Sequence, residues 1–276
     1  IAIAFAQYRD GKDYDIMFTP PTTYTAQEFK DEISILQAQG KKVLISLGGQ
    51  TTPHVLDSIY EKDIFVTSVN AMIDEWGFDG IDIDLEGGSV HYDDVNIDNP
   101  GDLTQTLFIE GLREVIDNHL SNNNQRLFLT MAPECAYVQG GLSDWAVNNA
   151  FGGAYLPIME AFKDDIDMMN VQLYNTGSML GLDGREYFQG TPSFVVAMTE
   201  AVIEGFTALG GIGTYSGLDQ AQVGVGLPGC HSSDAVEHEI LQDAMQYLLG
   251  QGPQVGSYTL RNADGYPNLR GMMTWS

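Results

Sequence analysis

Short apolar, β-rich runs alternate with longer amphipathic stretches along the whole chain. Residues 1–8, 42–49, 80–86, 127–134, 167–175, 223–229 and 271–276 read as strands. Most are near-continuous in apolar residues, as parallel strands covered by helices should be. Between the first two, Thr25-Ala-Gln-Glu28 spells a capping box, Phe29, Ile33 and Leu36 form a one-sided stripe, and Gly40 supplies the stop. Helix-length stretches follow at 62–76, 103–120, 153–162, 193–209 and 233–249.

Strand, helix, strand recurs without a Pro/Ser linker, a low-complexity tract or a charge block, which predicts one domain over residues 1–276. Repeated right-handed βαβ units either close into a barrel or wind into an open sheet. A dinucleotide-binding open sheet wants a GxGxxG turn after its first strand, and Gln7-Tyr-Arg-Asp-Gly11 cannot cradle a pyrophosphate in that way. The expectation is therefore an α/β TIM (β/α)8 barrel. Only seven strands are visible and nothing follows Trp275-Ser276, so its first strand and last helix are expected to be absent from this chain.

The chemistry concentrates on the third run. Side chains alternate faces along a strand, so Asp82, Asp84 and Glu86 share one face while Ile81, Ile83 and Leu85 share the other. Three carboxylates within roughly 13 Å, shielded from water, cannot all ionise cheaply, so a proton should be retained near neutral pH. Glu86 stands at the C-terminal end, where barrel active sites are built, and is placed to act as a general acid. Asp79, between Gly77 and Gly80 and out of phase with the trio, reads equally well as a structural group. Alternating strand carboxylates can also hold a divalent metal. Here the further strand-end acid is Glu134, no strand carries a His, and His54, His91, His119, His231 and His238 lack HxH or HExxH spacing. Neither a metal nor a cofactor is expected.

The stretch Asp79-Gly-Ile-Asp82-Ile-Asp84-Leu-Glu86 resembles the DxxDxDxE signature of glycoside hydrolase family 18, the chitinases. The resemblance continues at Ser46-Leu-Gly48-Gly49, Met131-Ala-Pro-Glu134, Met169-Asn-Val-Gln172-Leu-Tyr174-Asn175 and the terminal Met273-Thr-Trp275. It implies retaining, substrate-assisted hydrolysis of β-1,4-linked N-acetylglucosamine polymers, an exception to the two-carboxylate scheme. By that resemblance Glu86 is the proton donor, Asp84 orients the acetamido group, Asp82 tunes Asp84, and Tyr174 holds the acetamido oxygen. Trp275 would be the apolar floor under the reacting sugar, and Gln172 and Met131 wall residues. Phe5, Glu134 and Asn175 are further binding candidates. Tyr137, Trp145, Tyr187 and Tyr215 lie in connecting segments as candidate outer sugar contacts. About 40 residues separate the last two strands, too few beside a helix for the extra module of tunnel-shaped relatives, so an open cleft and endo-type cleavage are expected. The alternatives are an endo-β-N-acetylglucosaminidase acting on N-glycans and a non-catalytic lectin-like barrel.

Composition adds exclusions. The 276 residues, 43% hydrophobic and 10% aromatic, suffice for a large core. With 38 acids against 12 Lys plus Arg the charge is −26, a field that repels phosphates and anionic lipid surfaces, so nucleic-acid and membrane partners are disfavoured. A neutral polysaccharide such as chitin or a chitooligosaccharide meets no such penalty. Cys135 and Cys230 have neither metal-ligand spacing nor disulfide-scaffold density, and pairing stays open. No apolar run nears the roughly 20 residues of a membrane span, and the chain starts on Ile1 without a basic leader. The expectation is a processed, extracellular monomer.

Overall fold

The computed structural model describes residues 1–50, 53–143, 152–229 and 234–275. Trp145, Cys230, His231, Ser233 and Ser276 lie outside the described residues. The chain divides into two compact units, Ile1–Val90 with Gly101–Thr130, and His91–Pro100 with Met131–Ser276.

The first unit contains β1 (Ala2–Ile3), β2 (Gln7–Arg9), β3 (Lys12–Met17), α1 (Ala26–Ala38), β4 (Leu44–Gly48), α2 (Ile59–Trp76), β5 (Gly80–Asp84), α3 (Leu103–Asn123) and the start of β6 (Phe128–Met131). Its strands run in the order β1-β4-β5-β6. The β1–β4 and β4–β5 pairs are parallel. Each helix has a sequence-readable start: Thr25 and Glu28 close the predicted capping box on α1, Ser58 accepts the Glu61 N–H on α2, and Asp102 accepts that of Gln105 on α3. Ile45, Leu47, Phe65, Val69, Ile81, Ile83 and Leu85 are fully buried. Burial of each such side chain stabilises by about 1.5–3 kcal/mol.

The predicted first strand is split. Ala2 and Ile3 pair with β4, while Gln7–Arg9 fold back against Lys12–Met17 as an antiparallel hairpin. Asp10 and Gly11 make the turn at φ 54° and 72°, the left-handed pair that a two-residue hairpin loop demands.

The second unit contains α4 (Leu156–Ala161), β7 (Ile166–Met169), β8 (Ser178–Leu180), β9 (Glu186–Phe188), α5 (Pro192–Glu204), β10 (Phe206–Thr207), β11 (Thr214–Tyr215), β12 (Gly224–Pro228), α6 (His238–Leu248) and β13 (Gly271–Trp275). The segments after Met131 and Met169 pair through isolated parallel bridges, Glu134 with Gln172 and Gln172 with Gly226. Pro133 has no N–H to give a regular ladder. Strand β12 pairs with β13 in parallel along five residues, from Gly224 opposite Gly271 to Pro228 opposite Trp275. The chain leaves α5 at Gly205, so the predicted helix 193–209 gives up its tail: Phe206 and Thr207 pair with Tyr215 and Thr214 instead. The β8–β9 hairpin, around Gly181-Leu-Asp-Gly184, has no counterpart among the predicted elements.

Candidate active site

Strand β5 is buried along its whole length, and Asp82 and Asp84 are only 6% and 7% exposed. Ser46 on β4 stands opposite Asp82, and its hydroxyl donates to Asp82 Oδ2 at 2.7 Å. The Thr130 hydroxyl of β6 donates to Asp82 Oδ1. Burial pushes the Asp82 carboxyl above the usual carboxylate range, against the pull of the Thr130 and Ser46 hydroxyls. With both oxygens of Asp82 engaged by hydroxyls, a metal reading of this strand loses a ligand. Among the described residues no three His, Cys, Asp or Glu side chains stand close enough to hold a metal ion.

Glu86 lies two residues past the strand, half-buried, and its backbone carbonyl accepts the Ser89 N–H at 3.1 Å. The motif Ser46-Leu-Gly48-Gly49 is explained by close approach. The Gly49 N–H donates to the Asp84 carbonyl at 2.7 Å, and a Cβ on Gly48, at φ 113°, would come within 2.1 Å of that same oxygen. A Cβ on Gly49 would meet the Phe5 ring at 2.7 Å. Phe5, half-buried and joined to Ala4 by a cis peptide, thus packs over the glycine pair.

Asp79 resolves to its structural reading. Its carboxylate accepts the Val43 N–H at 2.9 Å, the Gln37 amide at 2.9 Å and the Lys42 ammonium at 2.9 Å. Burial would push this carboxyl up, but those three donors outweigh it and hold Asp79 below the ordinary range.

The remaining predicted residues belong to the second unit. Met131 is fully buried, and its carbonyl accepts the Asn170 N–H at 2.8 Å. Gln172, 3% exposed, donates its side-chain amide to the Ala132 carbonyl at 2.9 Å, and its backbone N–H to Pro133 at 2.8 Å. Glu134 is half-buried beside it. Tyr174 is buried at 8% exposure, and Asn175 turns outward at φ 53°. Trp275 ends β13 with 47% exposure, its carbonyl accepting the Gly229 N–H at 2.5 Å.

Three candidate outer contacts are corrected. Tyr137, Tyr187 and Tyr215 are buried, and the last two spend their hydroxyls internally, Tyr187 on Asp183 at 2.8 Å and Tyr215 on the Val202 carbonyl at 2.9 Å. Their position between predicted elements suggested exposure, but Tyr187 and Tyr215 are turned inward on the hairpins β8–β9 and β10–β11, and Tyr137 is buried in the short helical turn Cys135–Tyr137. Thr130 was missed as the partner of Asp82. Its signal was present as a lone hydroxyl in the apolar run Phe128-Leu-Thr-Met131.

The family model for glycosyl hydrolases family 18 matches residues 1–221. "Chitinase Chi52" of Paenibacillus xylanexedens is 39% identical over 282 residues, covering 100% of this chain and 52% of that protein. "Exochitinase 1" of Streptomyces olivaceoviridis is 36% identical over 266 residues, covering 93% and 43%. The chain thus spans about half the length of the curated relatives it matches. Among solved structures, a family 18 chitinase from Chromobacterium violaceum aligns with a TM-score of 0.82 at 31% identity, over 100% of this chain and 70% of that one. The fold class is that of these catalytic domains, an α/β barrel.

Proposed function

Because the chain belongs to glycosyl hydrolase family 18, we propose that it hydrolyses the β-1,4 bonds of chitin and chitooligosaccharides with retention, using the substrate's own acetamide as nucleophile. The observation that carries this reading is the sheltered strand β5, with Asp82 and Asp84 buried in phase and Glu86 emerging at its end. The acetamido carbonyl oxygen attacks C1 as the C1–O bond to the leaving sugar breaks, and Glu86 gives its proton to the departing oxygen. Water then attacks C1 of the oxazolinium ion, the C1–O bond to the acetamido oxygen breaks to restore the acetamide, and the proton lost by the water returns to Glu86. No enzyme nucleophile enters the balance.

Asp84 orients the acetamido N–H and stabilises the developing positive charge. Asp82, held by Ser46 and Thr130, tunes Asp84 through a shared proton. Tyr174 donates its hydroxyl to the acetamido oxygen, a positioning effect, and Trp275 offers its ring to the C–H face of the sugar. Phe5, Met131, Gln172, Glu134 and Asn175 complete the walls. Both compact units serve one catalytic domain, which works as an extracellular monomer.

Cleavage is proposed to be endo-type in an open cleft. Between β12 and β13 the described residues form α6 and irregular chain, which supports a cleft without an added wall module. A timed digest of an N-acetylglucosamine hexamer tests both levels of the reading. Intermediate oligomers early in the digest are expected; dimer alone from the outset would overturn endo action. No cleavage of the hexamer by the folded protein would overturn the chitinase reading in favour of a lectin-like barrel or an N-glycan endoglycosidase, which a high-mannose glycopeptide would separate.

A further inference from the structure

Past Tyr174 the second unit opens a cavity of about 670 Å³, lined among others by Ser143, Asn175, Ser178, Met179, Leu180 and Glu186. Glu186 is its one charged lining residue among the described residues. The Ser178 hydroxyl donates to Glu186 Oε1 at 2.6 Å, and no Lys or Arg among the described residues pairs with this carboxylate. The neighbouring Arg185 leans on Asp183 instead, at 3.8 Å.

The wall that carries Glu186 is fixed from behind. The Tyr187 ring meets Tyr258 edge-on at 5.3 Å, and Arg261 donates its guanidinium to the Leu182 carbonyl at 2.7 Å. Both partners are tied to Glu200 on α5, a fully buried carboxylate. It accepts the Tyr258 hydroxyl, the Arg261 N–H at 2.7 Å and the Tyr266 hydroxyl at 2.8 Å. A hairpin anchored this way presents its outward side chains in one arrangement before any ligand arrives.

Hydroxyl and amide groups beside Met179 and Leu180 suit a pyranose, with polar edges and apolar C–H faces. A carboxylate without a cation adds something that a neutral N-acetylglucosamine does not use. In a chain of net charge −26 the potential there attracts cations. We propose that this cavity binds a glucosamine unit through its free 2-ammonium group, pairing it with Glu186, so that the preferred polymer is partially deacetylated chitin. The proposal rests on the chitinase reading: the sugar at the scissile bond keeps its acetamide, and the amino sugar occupies this cavity.

The probe is the fully deacetylated glucosamine tetramer, which lacks an acetamide and so binds without substrate-assisted turnover. Calorimetry on the whole chain should show binding that Glu186→Gln weakens by roughly two- to five-fold, the range of an exposed ion pair. The difference should shrink at about 0.3 M salt. Glu32→Gln, an exposed site on α1 in the first unit, controls for overall charge and should weaken binding less. No binding by the wild type, or equal weakening by the two variants, overturns the subsite. Hydrolysis of the acetylated hexamer is scored separately on the same preparation. Its presence without Glu186-dependent binding removes this inference alone, and its absence removes the chitinase reading.

Discussion

Strand β5 is buried along all its residues and flanked by β4 and β6. Strand β13 pairs with β12 alone among the described residues and leaves Met272 51% and Trp275 47% exposed. The two settings suit two tasks. A carboxyl group is pushed toward its protonated form where water is scarce, as at Asp82. An aromatic platform for a sugar must instead present its ring to the ligand, and the exposed Trp275 can do so. In the proposed mechanism, proton chemistry and substrate contact fall to strands of opposite character.

The largest expected effect tests that division at Glu86. Glu86→Gln should lower kcat by about 10²- to 10⁴-fold, the contribution of a positioned general acid, while oligosaccharide affinity stays nearly intact. Retained turnover would break the assignment. A loss of binding equal to the loss of turnover would show that β5 also carries substrate contact.

Next in size is acid lability of the sheltered unit. His54 is buried there, with Nδ1 3.1 Å from the Asp13 carbonyl and Nε2 without a hydrogen-bond partner among the described residues, and burial lowers its pKa from 6.5 to about 4. The unfolded chain takes up this proton first. Stability should thus be constant above about pH 6.5 and fall by roughly 3 kcal/mol as pH drops to about 4. Denaturant titrations across that window check the slope, and His54→Gln should flatten it. An unchanged acid limb in that variant would assign the slope to other groups.

Thr130→Val probes the shelter more gently. It removes a donor that favours the Asp82 anion, so the carboxyl should move still higher and the alkaline limb of the pH–rate profile should shift upward. A shift toward lower pH would contradict the tuning role. Smallest should be Trp275→Ala, with KM raised about three- to tenfold on long oligomers and kcat changed less. A kcat loss as large as that of Glu86→Gln would erase the distinction between the two strands.

The acid trio was legible because a period of two needs nothing but the chain itself, and Ser46 with the glycine pair was legible as a motif. What stayed hidden depends on register between distant strands. Thr130 lies 48 residues from Asp82, and only the pairing of β5 with β6 makes them partners. The buried tyrosines were misread for the same reason: whether Tyr187 faces water depends on Tyr258, 71 positions on by sequence number, meeting its ring. The β2–β3 hairpin is different, since its Asp10-Gly11 turn was readable locally and was read only for the absence of a nucleotide-binding loop.

Asp79, the leading acid of the signature, is half-buried and clasps Val43, Gln37 and Lys42. Its consequence is metrological. Because side chains alternate, sliding β5 by a single residue against β4 would turn Ile81, Ile83 and Leu85 to the catalytic side and send both aspartates into the helices. By fastening residue 79 to residue 43, the clasp sets the zero from which every later position on the strand is counted. The spacing of the signature thus acts as a ruler, and Asp79 is its first mark.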